Sequence, residues 1–446
     1  MSSGLLLVLM GGLFLLLGYM GVPVAFAIIA GVLAATAFTP ISFQSMVGQL
    51  FHGIDSETLL AVPFFLLVGE LMSSADVTHR MIRLAQTLVG HLRGGLAQVV
   101  TLFSMFFAGI SGSSAADVAV LSRTVAPEMD KERYDRAFTA ALIASASTMA
   151  NLIPPSIMAV VYGATGNVSI GGLFLAGVVP GVMIGIGLMI YSYFFGPVGT
   201  MKKRAGLVDV FVAARGSALP MVIPVIIMGG ILTGWFTPTE AGMAAAAYIL
   251  LVLIPVLNPR HIRRLPGDFM YTGLLYSLPL AAVAAASAFG WMLAYLRGPD
   301  TVAEYISYYA GTDPKMIMLL LVVLFVVLGD FIDAIPAIII FMPIINKLTQ
   351  VGHINPVHMG VVIITTLVFG LITPPYGLSL LIASKFVGVP FSRAILRSLP
   401  LYIVFFFTIA FTALFPDVVL WLPKQLLPQS VGCFPNPSGA GWICPR

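Results

Sequence analysis

The chain consists of long apolar runs separated by short polar stretches. The first run, from Gly4 to Phe38, would be about 52 Å long as one helix, against a hydrocarbon core of about 30 Å. We therefore predict two spans that turn near Pro23. Applied along the chain, this reasoning predicts an all-α polytopic membrane protein with spans at about 4–19, 22–38, 57–75, 137–163, 171–197, 217–236, 239–257, 269–296, 355–386 and 396–421.

Two other apolar segments are broken in the middle by polar residues. Segment 95–127 contains the run Gly-Ile-Ser-Gly-Ser-Ser at 109–114, and segment 315–349 contains Asp330 and Asp333. Non-helical backbone at membrane depth is tolerated only where it is buried in protein or lines a wet cavity. We predict two re-entrant helical hairpins, each preceded by a surface stretch, at 77–93 and 299–312.

Hairpin tips and proline pairs recur at one spacing. Ser113 and Asp333 are 220 positions apart, and so are Pro154 and Pro374. Each half would hold five spans and one hairpin, and an odd number of spans inverts the second half relative to the first. Inverted repeats with discontinuous helices that meet near the midplane are a transporter architecture. We predict a first inverted repeat, a second one and a periplasmic tail, at 1–206, 207–423 and 424–446.

Composition agrees with a membrane protein. The chain is 59% hydrophobic and 9% charged, whereas soluble domains carry about 25% charged residues. The net charge of +4 is too scattered for nucleic-acid binding. By the positive-inside rule, the basic loops lie in the cytoplasm, which predicts both termini on the periplasmic side. These loops contain Arg80, Arg83, Arg93, Lys131, Arg133, Arg136, Lys202, Lys203, Arg204, Arg260, Arg263 and Arg264.

Enzyme and ATPase motifs are missing from the sequence. The segment that starts at Gly109 ends in Ser where a nucleophile elbow needs Gly, and no Walker A sequence occurs. The chain has two cysteines, Cys433 and Cys444, in the tail. If the tail is periplasmic, they are expected to form a disulfide, because that compartment is oxidising.

The first candidate site combines 109–117 with 144–156. Small residues let two backbones approach closely, and Pro154 and Pro155 free upstream carbonyls from helical bonding. Hydroxyl and carbonyl oxygens suit an alkali cation, and the N-terminal ends of half-helices favour a carboxylate. Two alternatives stay open: Gly and Ser only pack helices, and Asp117 completes a capping box and not a ligand network.

The second candidate site combines 328–336 with 369–379. Asp330 and Asp333 lie at membrane depth, where ionisable residues are costly and usually functional. Asp333, at the repeat position of Ser113, is the preferred cation ligand; the alternatives are an aqueous vestibule or a helix cap.

Three other polar features draw weaker predictions. Thr237, Pro238 and Glu240 form a capping-box pattern. Arg297 either meets an anionic solute or lipid or extends its charge to the interface. A polar outer loop facing a soluble partner is predicted at Gln44, Gln49, His52, Asp55 and Glu57.

Five motifs together resemble the large membrane subunit of tripartite ATP-independent periplasmic (TRAP) transporters over about residues 5–423. They are FFAGISGSSAADVAVL, STMANLIPPSIMAVVYG, FTPTEAG, LGDFIDAIPAIIIFMPI and FGLITPPYGLSLLIASK. The resemblance implies a sodium-coupled elevator of the ion-transporter superfamily in the bacterial inner membrane. It also implies a small four-helix membrane subunit, a periplasmic solute-binding protein and an organic acid as substrate.

The resemblance also assigns site residues by position. Two or more Na⁺ sites would use Ser111, Ser113, Ala150, Asn151, Pro154, Asp333, Thr373 and Pro375. The resemblance also makes Ser156 a candidate substrate contact, and the other candidates, which come from the residues themselves, are Ser114, Asp117, Pro155, Asp330 and Pro374. The chain departs from the family at Ala150-Asn151, commonly Gly-Pro, and at Asp330, more often uncharged.

Two competing hypotheses remain at this point. One is a stand-alone sodium- or proton-coupled carboxylate symporter of the same superfamily, which uptake by the chain alone in liposomes would favour. The other is a channel or a non-transporting membrane scaffold, which saturable uptake that depends on Ser113 and Asp333 would exclude.

Overall fold

The structure is a computed structural model that describes residues 2–74, 77–196, 204–435 and 442–443. Lys202, Lys203 and Cys444, which carry predictions above, lie outside these residues. The described chain is helical apart from two short antiparallel strands in the tail, β1 (Phe434–Pro435) and β2 (Trp442–Ile443).

The helices of the first half are α1 (Ser3–Tyr19), α2 (Val24–Thr36), α3 (Phe43–Ile54), α4 (Ala61–Ser74), α5 (Val77–Val89), α6 (Gly95–Ser111), α7 (Ser114–Thr124), α8 (Ala126–Lys131), α9 (Arg136–Ser147), α10 (Ile157–Gly166) and α11 (Ile170–Phe195). Those of the second half and tail are α12 (Leu207–Leu232), α13 (Pro238–Tyr248), α14 (Ile254–Leu257), α15 (Leu265–Tyr295), α16 (Gly298–Ala310), α17 (Pro314–Gly329), α18 (Ala334–Val351), α19 (Pro356–Gly370), α20 (Leu378–Val387), α21 (Phe391–Leu414), α22 (Pro416–Val419) and α23 (Trp421–Leu426). A π-helical segment, Ile249–Leu253, joins α13 to α14, and 3₁₀ turns form at Thr148–Asn151, Pro259–Arg264 and Pro428–Val431.

Within the described residues, six helices are long and apolar enough to cross a bilayer on their own. They are Ile170–Phe195, Leu207–Leu232, Pro238–Leu257, Pro259–Tyr295, Ala334–Val351 and Phe391–Leu414. The predicted span near 57–75 ends at a 74° bend into α5, which fits a span followed by a surface helix.

Four segments are built from two helices with a break between them. The first hairpin is α6 and α7, and the second hairpin is α17 and α18. The first broken span is α9 and α10 with the 3₁₀ turn between them, and the second broken span is α19 and α20. Their starting residues recur 220 positions apart: Ser114 in α7 and Ala334 in α18, Arg136 in α9 and Pro356 in α19.

The prediction of an outer polar loop is wrong, because residues 43–54 form the helix α3. The side chain of Ser42 caps this helix by accepting from the Ser45 N–H. Met46 is buried, and Leu50 and Ile54 are half-buried, on the side that packs against α15. These apolar residues recur four positions apart, one turn of an amphipathic helix. The exposed part of the helix carries polar residues together with the large apolar side chains of Phe43, Val47 and Phe51.

The predicted capping box at the start of α13 is confirmed. The hydroxyl oxygen of Thr237 accepts from the Glu240 N–H at 3.3 Å, and the Glu240 carboxylate accepts from the Thr237 N–H at 2.8 Å. Two of the N–H groups that a helix start leaves unpaired are satisfied in this way.

The tail packs onto the first turns of α11 and α19. A Cβ built on Gly171 would lie 2.9 Å from Leu427, so the two segments are in close contact there. The Asn355 side-chain amide donates to the Val431 carbonyl at 3.0 Å. Cys433 is disulfide-bonded. The tail therefore links a helix of the first half to a helix of the second.

Hairpins and broken spans interlock across the two halves. The second arm of the first hairpin, α7, packs against α20, and the second arm of the second hairpin, α18, packs against α10. The guanidinium of Arg123 in α7 lies 5.3 Å from the ring centre of Phe386 in α20. Each break is thus enclosed by elements from both halves.

Candidate functional site

The tip of the first hairpin is shaped by Gly112 and Ser113. Gly112 has φ of 60°, which L side chains rarely adopt, and a Cβ on it would lie 2.5 Å from the Pro155 carbonyl oxygen. Only glycine therefore lets the hairpin tip reach the proline pair of the first broken span. Ser113 is extended and half-buried at the N-terminus of α7, and Ser114 is buried.

Asp117 lies in the first turn of α7 and is fully buried. The Ser111 hydroxyl donates to its Oδ1 at 3.0 Å. No side chain caps α7, so the alternative that Asp117 completes a capping box is wrong. Asp117 instead takes part in a hydrogen-bond network with Ser111. The second carboxylate oxygen, Oδ2, has no hydrogen-bond partner among the described residues.

The first broken span leaves α-helical geometry at the 3₁₀ turn Thr148–Asn151 and resumes at Ile157. Ser156 caps α10 by accepting from the Ala159 N–H at 3.2 Å, and its hydroxyl donates to the Asn151 carbonyl. Ala150 and Asn151 are both buried. Ser156 and Asn151 therefore close a short loop around Pro154 and Pro155, whose peptide bond is cis.

Several buried polar atoms of the first hairpin and first broken span have no hydrogen-bond partner among the described residues. The four closest in sequence to the breaks are Asp117 Oδ2, Ser145 Oγ, Ser147 Oγ and Asn151 Nδ2, whereas Gln98 Oε1, Ser104 Oγ and Ser122 Oγ lie farther along the hairpin arms. An unsatisfied buried polar group costs about 1–3 kcal/mol, and more if it is charged. Three of the four atoms are oxygens, the ligand type that hard cations take. A bound cation or polar ligand would satisfy them.

The tip of the second hairpin carries two carboxylates. Asp330 directly follows α17, and Asp333 caps α18 by accepting from the Ala334 N–H at 2.7 Å. The alternative that Asp333 caps a helix is therefore confirmed. Only its Oδ1 takes part in that cap. The Thr373 hydroxyl in the second broken span donates to Asp330 Oδ1. The Tyr376 N–H donates to the Asp330 carbonyl at 3.1 Å.

The second broken span runs irregularly from Leu371 to Gly377, where φ is 43°, with a cis bond between Pro374 and Pro375. The Tyr402 hydroxyl in α21 donates to the Ile372 carbonyl at 2.7 Å. In a continuous helix the Tyr376 N–H would donate to the Ile372 carbonyl, but here it donates to the Asp330 carbonyl, so the Ile372 carbonyl needs another partner. Tyr402 supplies it for Ile372.

The model of the family described as "Tripartite ATP-independent periplasmic transporter, DctM component" matches residues 11–418. The sialic acid TRAP transporter large permease protein of Vibrio cholerae is 35% identical over 431 residues, which are 94% of this chain and 99% of that protein. The C4-dicarboxylate TRAP transporter large permease protein of Pseudomonas aeruginosa is 35% identical over 89% of this chain and 93% of that protein.

The chain belongs to the large-permease family of TRAP transporters. The similarity to a family model and to these permeases makes it a subunit of a multi-pass inner-membrane transporter. Among solved structures, the YdaH transporter of Alcanivorax borkumensis has a TM-score of 0.57 at 16% identity, covering 84% of this chain and 88% of that one. That likeness concerns the fold alone.

The two candidate sites of this TRAP permease differ in exposure. Pro154 and Pro155 are buried, whereas Pro374 and Pro375 are exposed. Asp330 and Asp333 are half-buried, while Asp117 is fully buried. The second site is therefore the more accessible one in this conformation.

Six of the fourteen predicted site residues of the permease form three hydrogen-bonded pairs. Ser111 contacts Asp117, Ser156 contacts Asn151, and Asp330 contacts Thr373. Arg297 lies apart from these pairs, with its Nε 3.9 Å from Asp300 Oδ2 at a helix start. Sequence reasoning missed Tyr402, since a tyrosine in an apolar span carries no signal that it will reach a carbonyl thirty positions away.

Proposed function

We propose that this permease is the large subunit of a sodium-coupled importer of an organic acid. A small four-helix membrane subunit would accompany it, and a periplasmic solute-binding protein would deliver the substrate. The observation that carries the proposal is the buried carboxylate of Asp117, one of whose oxygens has no hydrogen-bond partner among the described residues. A charge inside a low-dielectric interior is costly unless it is paired.

A co-transported sodium ion supplies that pairing. Ser111, Ser113, Ala150, Asn151 and the Pro154 region provide hydroxyl and carbonyl oxygens around the first break. Asp333, Thr373 and Pro375 provide them around the second. A carrier that moves two sodium ions with one monovalent anion transfers one net charge, which gains about 2.3 kcal/mol across 100 mV.

The helix starts at the breaks favour an anionic solute. α7, α10, α18 and α20 all begin at a break, and their N-terminal N–H groups attract negative charge. Relatives described above are named for sialic acid and for C4-dicarboxylates, both organic acids. We therefore propose a carboxylate or sulfonate as the substrate, held by Ser114, Ser156 and the proline pairs.

We propose an elevator movement of one body against another. The mobile body would contain α6–α11 and α17–α21, and the scaffold α1–α5 and α12–α16. In support, the boundary between α4 and α15 on one side and α10 and α18 on the other is lined by apolar groups. Apolar side chains form few directional bonds that sliding would break. The lining residues include Leu59, Val62, Val161, Tyr276, Val283 and Ile335.

We further propose that residues 1–206 and 207–423 are inverted repeats, with both termini in the periplasm. Helix starts that recur 220 positions apart support the repeat. The basic residues of α5, such as Arg80, and Arg136 at the start of α9 support the orientation.

The experiment is uptake into proteoliposomes that contain this chain with its small subunit and its binding protein. Uptake of sialic acid and of C4-dicarboxylates is measured with an inward sodium gradient and with potassium in its place. Sodium-dependent uptake is expected, and undiminished uptake without sodium would refute the coupling. Uptake by the chain alone would favour a stand-alone symporter.

Matched variants test the sites. Ser113→Ala and Asp333→Ala are expected to abolish sodium-dependent uptake. Ser45→Ala, an exposed serine in α3, serves as the control and is expected to leave it unchanged. Equal activity in all three variants would contradict the assignment of the sites.

A further inference from the structure

The second hairpin is tied to the second broken span by a side-chain contact that the first half lacks. The Thr373 hydroxyl donates to the Asp330 carboxylate. Shifted by the repeat spacing of 220 positions, Asp330 corresponds to Ile110 and Thr373 to Ile153. The first half thus has two apolar side chains where the second half has a hydrogen-bonded polar pair.

Two backbone contacts hold the same junction. The Tyr376 N–H donates to the Asp330 carbonyl at 3.1 Å. Gly370 lies so close to Gly329 that a Cβ on Gly370 would be 2.6 Å from the Gly329 carbonyl carbon. The backbone of Asp330 is therefore held against the second broken span, and its side chain lies within hydrogen-bond distance of Thr373.

The contact orients the Thr373 hydroxyl. A hydroxyl has one hydrogen and two lone pairs, and donation to Asp330 commits the hydrogen. The same hydrogen is shared with the Phe369 carbonyl, 3.2 Å away. The lone pairs of Thr373 Oγ1 then point away from Asp330 and are free to accept a cation. The carboxylate also adds negative charge next to that oxygen, which favours a cation over a neutral ligand.

We propose that Asp330 is a positioning residue for sodium at the second site, acting through Thr373. This inference rests on the proposed sodium coupling. Asp330 raises sodium affinity by aiming the Thr373 oxygen and by placing a carboxylate beside it. Its contact with the organic acid is not needed for this role, although the sequence assigns it to the substrate.

The test compares four variants in proteoliposomes with the partner subunits, using Na⁺ as the varied ligand. Asp330→Ala removes acceptor and charge, and Asp330→Asn keeps an acceptor but removes the charge. Thr373→Val removes the hydroxyl, and Thr373→Ser keeps it. The readouts are the sodium concentration for half-maximal uptake and the KM for the organic acid at saturating sodium.

Asp330→Ala and Thr373→Val are expected to raise the half-maximal sodium concentration about tenfold. The reason is that both variants lose a charge-assisted hydrogen bond, whose free energy corresponds to a change in affinity of that size. Asp330→Asn is expected to give a smaller rise, and Thr373→Ser to remain near wild type. The KM at saturating sodium stays within about twofold. The Asp330→Ala, Thr373→Val double variant is expected to raise the half-maximal sodium concentration by less than the product of the two single effects, because both single variants remove the same hydrogen bond.

Three outcomes overturn the inference. They are an unchanged sodium dependence in Asp330→Ala, a rise in substrate KM at saturating sodium without a change in sodium affinity, and multiplying effects in the double variant. Melting temperatures of the purified variants identify any that fail to fold, in which case Asp330→Asn and Thr373→Ser still decide. Sodium-independent uptake by the wild type would refute the proposed function itself, and is measured first.

Discussion

The contact between Gly329 and Gly370 allows a prediction with a built-in control. The two glycines are the last residues of α17 and α19, one position before Asp330 and three positions before Thr373. A Cβ on Gly370 would lie 2.6 Å from the Gly329 carbonyl carbon and 2.8 Å from its Cα. A Cβ on Gly329 would instead lie 3.5 Å from the Gly370 Cα, an ordinary contact. Gly370 therefore has no room for a methyl group, whereas Gly329 has.

The magnitude follows from these distances. Carbon atoms prefer separations of about 3.5–4.0 Å, so Gly370→Ala forces the two backbones about 1 Å apart. Overpacking of this kind costs about 1–3 kcal/mol, against a gain of about 0.5–1 kcal/mol for Ala over Gly in a helix. We expect Gly370→Ala to lower the free energy of unfolding by about 1–2 kcal/mol. Gly329→Ala should be neutral or slightly stabilising.

Thermal unfolding of the purified variants in detergent measures both effects, with a drop of a few degrees expected for Gly370→Ala. A second control is Gly273→Ala in α15, where a Cβ meets nothing within 4 Å. Because the displaced backbone carries Asp330 away from Thr373, uptake by Gly370→Ala should also need more sodium. Equal melting temperatures for Gly370→Ala and Gly329→Ala would refute the reasoning.

Three further predictions concern other parts of the molecule. Lys347 Nζ lies 3.1 Å from Asp300 Oδ1 and joins α18 to α16. Both side chains are nearly half exposed, so Lys347→Asp should lower the free energy of unfolding by no more than about 1 kcal/mol. Adding Asp300→Lys should restore the melting temperature. Thr237→Ala removes the α13 cap and should lower the unfolding free energy by about 1 kcal/mol, whereas Thr237→Ser should not. Alkylation of unreduced protein followed by mass spectrometry should find no free thiol, and two after reduction; two thiols before reduction would contradict a Cys433–Cys444 bond.

The breaks were predictable because they interrupt long apolar patterns with residues whose backbone chemistry is unusual. Pro154 and Pro374 remove amide donors, and Gly112 supplies a positive φ, so the chain cannot continue as one helix there. The start of α13 was predictable for a similar reason. Thr237 and Glu240 are three residues apart, and each accepts a hydrogen bond from the backbone N–H of the other. Features that depend on a few neighbouring residues can be predicted from the sequence.

The contacts within the sites were not predictable in the same way. Asp117 bonds to Ser111, six positions away, and Asp330 to Thr373, forty-three positions away. Which side chain meets which depends on how the hairpins sit against the broken spans, and that is set by tertiary packing. The helix α3 is a different case, since Met46, Leu50 and Ile54 already showed a helical spacing that the surrounding polar residues obscured.

The two carboxylate contacts have different consequences for a moving hairpin. Asp117 and Ser111 belong to the same hairpin, so their hydrogen bond survives if that hairpin moves as a unit. Asp330 and Thr373 belong to a hairpin and a broken span, so separating those elements breaks their hydrogen bond. The proposed elevator carries both hairpins and both broken spans in its mobile body, so its movement leaves both hydrogen bonds intact. Only a separation of the second hairpin from its broken span costs a charge-assisted hydrogen bond. A cation that bridges the second hairpin and its broken span would add to that cost, which ties closure of the second site to sodium.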